Sequence, residues 1–207
     1  MNNPTYWQQG IAHLSANDEA LALLIAQHQS SILQSRGDAF HTLMRSIAGQ
    51  QISVQSADAI WRKMEAIIPE ITPYNCANLT HEQLKSCGFS RQKISYIENL
   101  IAFANDGKLE LPQLQAMNDA ELMKHITAIK GIGIWSAEMF AMFCLMRPDI
   151  LPLDDIGLQR AMARQYGIQA KPFNKMQATK IAEVWQPYRT IATWFLWRSI
   201  DPSEVNY

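Results

Sequence analysis

The residues best placed to do chemistry fall in one stretch, from Ile126 to Ile156. Within it, Ile129-Lys130-Gly131-Ile132-Gly133 sets a Gly-x-Gly turn between the end of one amphipathic helical pattern and the start of another. Glycine tolerates positive φ, and without a Cβ such a turn lets another molecule approach its backbone closely. Amides at the start of the second helix would then face outward with a favourable dipole, which makes an anion site. A duplex phosphate, bound without regard to base sequence, is a natural occupant. The same pattern also serves as a plain corner between two helices, and composition alone does not separate the two readings. A dinucleotide-binding fingerprint is excluded. It needs a third glycine where Ser136 stands, and a strand before the turn.

Further along, Leu151-Pro152-Leu153 leads into Asp154-Asp155 and another helical pattern. Two adjacent carboxylates there can be an N-cap and a first-turn acid, or one of them can be a charged group for a reaction. Trp135 lies in the first turn after the hairpin, where an indole can face a cleft. Trp135, Met139, Met142 and Met146 form one stripe, yet Ala137, Phe140, Ala141 and Cys144 on the other faces are apolar too. An all-round apolar helix is usually a core helix.

The elements that must position these groups read as helices throughout. Periodicity places them at roughly 5–15, 18–28, 38–49, 53–67, 80–86, 91–105, 118–128, 133–146, 155–166, 174–185 and 188–200. Ser53 and Asn118 suit N-caps, Asn118 with Glu121 three residues on as in a capping box. Gly88, Gly107 and Gly167 suit C-terminal stops, and Pro148, Pro172 and Pro187 punctuate the second half. The irregular stretch from Arg147 to Leu153 is the best candidate for a crossing between lobes. The expected fold class is all-α.

Composition closes off several alternatives. Apolar residues make up 48% of the chain, enough for a substantial core. No run approaches the ~18 uninterrupted apolar residues of a membrane span. Met1 to Trp7 lacks the regions of a signal peptide, so a cytoplasmic or nucleoid location is expected. Cys76, Cys87 and Cys144 form neither a disulfide framework nor a metal knuckle, and the histidines form no H-E-x-x-H. The H-x-E and P-C-x-x-C signature of a zinc base deaminase is absent as well. Net charge is −1, which argues against a simple polyelectrolyte binder. From 156 to 198, however, Arg160, Arg164, Lys171, Lys175, Lys180, Arg189 and Arg198 face one acid, Glu183, a net +6. That stretch either presents a basic face to phosphates or is balanced by neighbours in the fold.

In order and spacing, the pieces resemble the helix–hairpin–helix DNA glycosylases, within them the DNA-3-methyladenine glycosylase II group. They are Ile47-Ala48-Gly49-Gln50-Gln51-Ile52-Ser53, the hairpin at 129–133, Trp135-Ser136-Ala137, Leu151-Pro152-Leu153-Asp154-Asp155, Trp185-Gln186-Pro187-Tyr188-Arg189 and Trp197. The resemblance implies two helical lobes with a central cleft, one lobe at 39–147 and the other joining 1–38 with 148–207. The N-terminal α/β domain of some members is not expected. Asp155 matches the catalytic aspartate, with Asp154 left as the cap. Trp135, Trp197, Met139 and Ile156 fall at base-pocket positions, where relatives place tyrosines at the last two. Trp185 and Trp194 are expected in the core. Gln51 matches the side chain that fills the gap left by a flipped base. Lys130, Gly131, Ile132 and Gly133 would meet the DNA backbone, with a monovalent cation on the carbonyls of Thr127, Ile129 and Ile132.

Subfamily follows from two positions. Members that also cut the strand use a lysine where Trp135 stands, and an indole cannot form a Schiff base. No cysteine follows Cys144, so no iron–sulfur cluster and no other cofactor is expected. The resemblance therefore implies a monomeric, monofunctional hydrolase acting on double-stranded DNA containing alkylated bases, 3-methyladenine and 7-methylguanine, in base excision repair. Three rivals stand beside it: a helix–hairpin–helix DNA-binding module without catalysis, a glycosylase for another damaged base, and a helical interaction scaffold.

Overall fold

A computed structural model describes residues 4–35 and 37–200. The ends of the expected second lobe, 1–3 and 201–207, and Arg36 lie outside the described residues. In chain order the first helices are α1 (Trp7–Asn17), α2 (Glu19–Gln27), α3 (Ala39–Gly49), α4 (Val54–Ile67) and α5 (Pro73–Ala77). Next come α6 (His81–Cys87), α7 (Arg91–Asn105), α8 (Leu111–Ala116), α9 (Asp119–Thr127) and α10 (Ile134–Phe143). The last are α11 (Ile156–Tyr166), α12 (Lys175–Ile181), a 3-10 turn (Ala182–Trp185) and α13 (Arg189–Ile200). No β-strand forms among the described residues, and the fold is all-α. No helix there is long and apolar enough to cross a membrane.

Local chemistry accounts for most boundaries. The Ser53 side chain accepts from Ser56 N at the start of α4. Asn118 and Glu121 make the reciprocal capping box of α9, at 2.9 Å in both directions. Gly88 and Gly167 close α6 and α11 in the left-handed conformation. Three expectations need correction. α5 and α8 were not anticipated, because a proline in the first turn reads as punctuation although it costs the helix nothing there. The helix expected to run to 146 stops at Phe143: Met146 takes φ +54°, and the Arg147 N–H returns to the Ala141 carbonyl at 2.9 Å. The span 174–185 divides into α12 and the 3-10 turn.

Residues 37–140 form one compact unit. Its centre is α3 against α7, with α4 packed on α3 and α6, and α5 on α7. Phe40, Leu43, Met44 and Ile47 of α3 recur at spacings of three and four, and all are buried, as are Ile94, Ile97 and Leu100 of α7.

Residues 4–35 and 141–200 form the other unit. Here α13 is central, touching α1, α2 and α11, and every residue from Thr190 to Arg198 is buried. Trp185 and Trp194 are core residues. Asp18 ties the periphery together. It caps α2 through Leu21 N (2.9 Å) and accepts from the Tyr166 hydroxyl (3.0 Å) and Trp185 Nε1 (2.7 Å). Removing its carboxylate would orphan these donors at about 1–3 kcal/mol each where they are buried.

Burial, and then the charge and hydrogen bond of Asp18, raise the Tyr166 phenol above its ordinary value. Burial likewise pushes the Cys76 thiol up to about 11. The folded state thus keeps protons that the unfolded chain releases. The tyrosine's contribution is intact below about pH 10 and is lost as pH rises from there. Denaturant titrations at about pH 8 and about pH 11 should show a clear loss of stability, with a smaller loss in Tyr166→Phe. An equal loss in both proteins would remove Tyr166 from the explanation.

Candidate active site

Asp155 is delivered by a strapped loop. The Thr190 hydroxyl accepts from Ile150 N (3.0 Å) and donates to the Arg147 carbonyl (2.6 Å). Arg189 grips the Asp149 carboxylate through Nε and Nη2, at 2.6 and 2.7 Å. The first turn of α13 therefore holds the segment 147–150 at several points. Asp155 then caps α11: its Oδ1 accepts from Leu158 N at 2.6 Å and from the Trp197 indole N–H at 2.8 Å. Only 6% of the residue is exposed. A carboxylate held this way presents a fixed negative group rather than a solvated one.

Two sequence expectations change here. Asp154 does not cap the helix; it is exposed and pairs with Lys175 at 2.5 Å. Asp155 has the extended backbone of an N-cap and does the capping itself. Trp197 is 4% exposed, stacks on Phe143 with centroids 6.1 Å apart, and spends its N–H on Asp155. Ile156, next to the carboxylate, is 63% exposed.

The hairpin lies in the 37–140 unit. Ile129 and Ile132 are buried and root it, and Ile132 N donates to the Ile129 carbonyl at 3.0 Å. Gly131 has φ +90°, and a Cβ there would lie 2.3 Å from the Tyr96 ring, so this glycine is structural. Gly133 differs. A Cβ there would meet nothing within 4 Å, and its backbone stands open beside the start of α10. The exposed Lys130 reaches Ser95 Oγ at 3.1 Å.

The Gln50 amide donates to the Gly131 carbonyl at 2.8 Å, and Lys93 Nζ donates to the Ala48 carbonyl at 2.8 Å. Burial lowers the Lys93 pKa. The turn after α3, the first turns of α7 and the hairpin are thereby joined. Gln51 projects from that turn, exposed, with φ +59°. Sequence reasoning missed Gln50, Lys93 and Tyr96. Gln50 stood inside a quoted motif, but nothing local marks a ring that packs on a distant glycine. Trp135 is half-buried and Met139 buried, and the Ser136 hydroxyl lies 3.3 Å from that of Ser46.

Among the described residues no group of three or more His, Cys, Asp or Glu could hold a metal. At the hairpin, the Ile129 carbonyl accepts one hydrogen bond, from Ile132 N. The basic stretch is partly neutralised by the fold. Arg189 and Lys175 pair with Asp149 and Asp154, and Arg198 is 3% exposed with its guanidinium over Trp194. Arg160, Arg164, Lys171 and Lys180 stay exposed.

Comparison with known proteins agrees with this arrangement. Residues 44–187 match the model of the HhH-GPD superfamily of base excision DNA repair proteins. DNA-3-methyladenine glycosylase 1 of Schizosaccharomyces pombe is 29% identical over 194 residues, covering 90% of this chain and 85% of that protein. The crystal structure of a DNA-3-methyladenine glycosidase from Bacillus halodurans superposes with a TM-score of 0.82 at 29% identity, over 97% of this chain and 93% of the other. The 3-methyladenine DNA glycosylase of S. pombe, solved in complex with abasic DNA, gives 0.79 at 26% identity, over 96% and 100%. The chain belongs to the helix–hairpin–helix superfamily of base excision DNA repair proteins. Within it, its likeness is to the DNA-3-methyladenine glycosylases, hydrolases of N-glycosyl bonds.

Proposed function

We propose that the chain is a monofunctional DNA N-glycosylase that flips alkylated purines, 3-methyladenine and 7-methylguanine, out of double-stranded DNA and hydrolyses their glycosyl bonds. The observation that carries this reading is Asp155, buried and held by two N–H donors on one oxygen. As the bond to the base breaks, positive charge builds on the deoxyribose, and a fixed carboxylate stabilises it. The same group orients the water that adds to the sugar and takes its proton. A methylated purine carries positive charge and is already a good leaving group, so an electron-rich surface serves it better than a dedicated acid. Trp135 and Trp197 supply that surface in this reading, and the Trp197 indole N–H also orients Asp155.

The open backbone at Gly133 anchors a DNA phosphate, with Lys130, Gly131 and Ile132 forming the rest of the turn. A monovalent cation on the carbonyls of Thr127, Ile129 and Ile132 would add positive charge there. Gln51 occupies the space left by the flipped nucleotide. The reading includes a monomer working inside the cell without a metal or nucleotide cofactor in the chemical step.

Incubation with methylated duplex DNA, followed by chromatography of the supernatant, tests this. Free 3-methyladenine and 7-methylguanine are expected, with the strand left intact at an abasic site. Borohydride is expected to trap no covalent adduct, because Trp135 supplies no amine. Absence of any free methylated purine would reject the substrate assignment, and efficient trapping the monofunctional one. DNA binding without release of any base would favour the non-catalytic module.

A further inference from the structure

We infer that Gly157 is a positioning residue, whose missing side chain lets the Trp197 indole close over Asp155 and hold its carboxylate. A Cβ built on Gly157 would lie 3.0 Å from Asp155 Oδ1 and 3.3 Å from both Cδ1 and Nε1 of Trp197. All three atoms belong to the 2.8 Å hydrogen bond between the two side chains or adjoin it. Nothing else at this position calls for glycine. It is the second residue of α11, its φ is not among the positive ones, and alanine is the better helix former.

The neighbours have little room to retreat. Trp197 is buried on α13 with Phe143 stacked against its ring, and Asp155 is tied to Leu158 N as the helix cap. A methyl group at 157 must therefore lengthen the indole–carboxylate bond or turn the carboxylate. Glycine is kept here against helix propensity because the site needs the space.

The inference rests on Asp155 being the catalytic carboxylate, and the test separates the two claims. Gly157→Ala, Asp155→Asn and the double variant are compared for single-turnover excision, affinity for abasic-site DNA and melting temperature. Trp197→Phe identifies the Trp197 indole N–H resonance by its loss from the NMR spectrum. Gly157→Ala is expected to stay folded with a modestly lowered melting temperature, to bind abasic DNA within about twofold, and to excise about tenfold more slowly, as displacement of a catalytic group can cost this much or more. Its indole resonance should move upfield as the hydrogen bond lengthens. The double variant should be no slower than Asp155→Asn, because groups acting as one unit are not additive.

An unmoved indole resonance in Gly157→Ala overturns the inference. So does a parental rate beside a slow Asp155→Asn, or a double variant slowed by the product of the two effects. If Asp155→Asn itself keeps the parental rate, the catalytic reading of Asp155 fails, and the indole resonance alone decides the role of Gly157.

Discussion

Asp155→Asn is expected to lower the excision rate by about 10²-fold or more while leaving the fold intact. The amide oxygen of asparagine can take the place of Oδ1 and accept from both Leu158 N and Trp197 Nε1, so neither the helix cap nor the indole bond is lost. In the proposed mechanism, what disappears is the negative charge facing the developing cation and the base for water. Binding to abasic-site DNA should therefore stay within a few-fold of the parent. Asp154→Asn is the control. It breaks only an exposed pair with Lys175, worth about 0–1 kcal/mol, and should leave the rate nearly unchanged. A folded Asp155→Asn protein, checked by circular dichroism, that released methylated bases at the parental rate would end the assignment.

Gly133→Asp is expected to weaken DNA binding by about tenfold to a hundredfold, the worth of a charge-assisted hydrogen bond to phosphate. The variant should fold, since a Cβ at 133 meets no atom within 4 Å. It places a carboxylate where the open backbone would meet a phosphate. If one phosphate contact is lost, the slope of log affinity against log salt should flatten by about 0.9. Gly131→Ala makes an instructive contrast. Its backbone is left-handed and the Tyr96 ring fills the space, so it should lose stability first and affinity only in consequence. A folded Gly133→Asp protein with parental affinity and slope would reduce the hairpin to a corner between helices.

The all-helical class and most helix boundaries were legible because they rest on local chemistry. The capping box at Asn118 and Glu121 spans three residues, and the glycine stops need only their own backbone freedom. α5 and α8 are too short, at five and six residues, to carry a readable periodicity, and the proline in the first turn of each reads as a break. The ordered motifs placed Asp155 and the hairpin at the centre of the functional reading, and they did so without any knowledge of contacts.

What the chain alone could not decide depends on partners far away along it. Asp154 and Asp155 are chemically identical neighbours before the same helix. The capping backbone and the indole of Trp197, 42 residues on, single out Asp155, and Lys175 takes up Asp154. The basic run from 156 to 198 counts as +6 in sequence, yet packing buries Arg198 and pairs Arg189 with Asp149. Gln50 reaches Gly131 across 81 residues. Local propensity and pattern determined the helices, and the resemblance of the ordered motifs pointed to Asp155. Only tertiary packing decided which oxygen it presents to which donor, because burial and hydrogen-bond satisfaction are properties of neighbours in space.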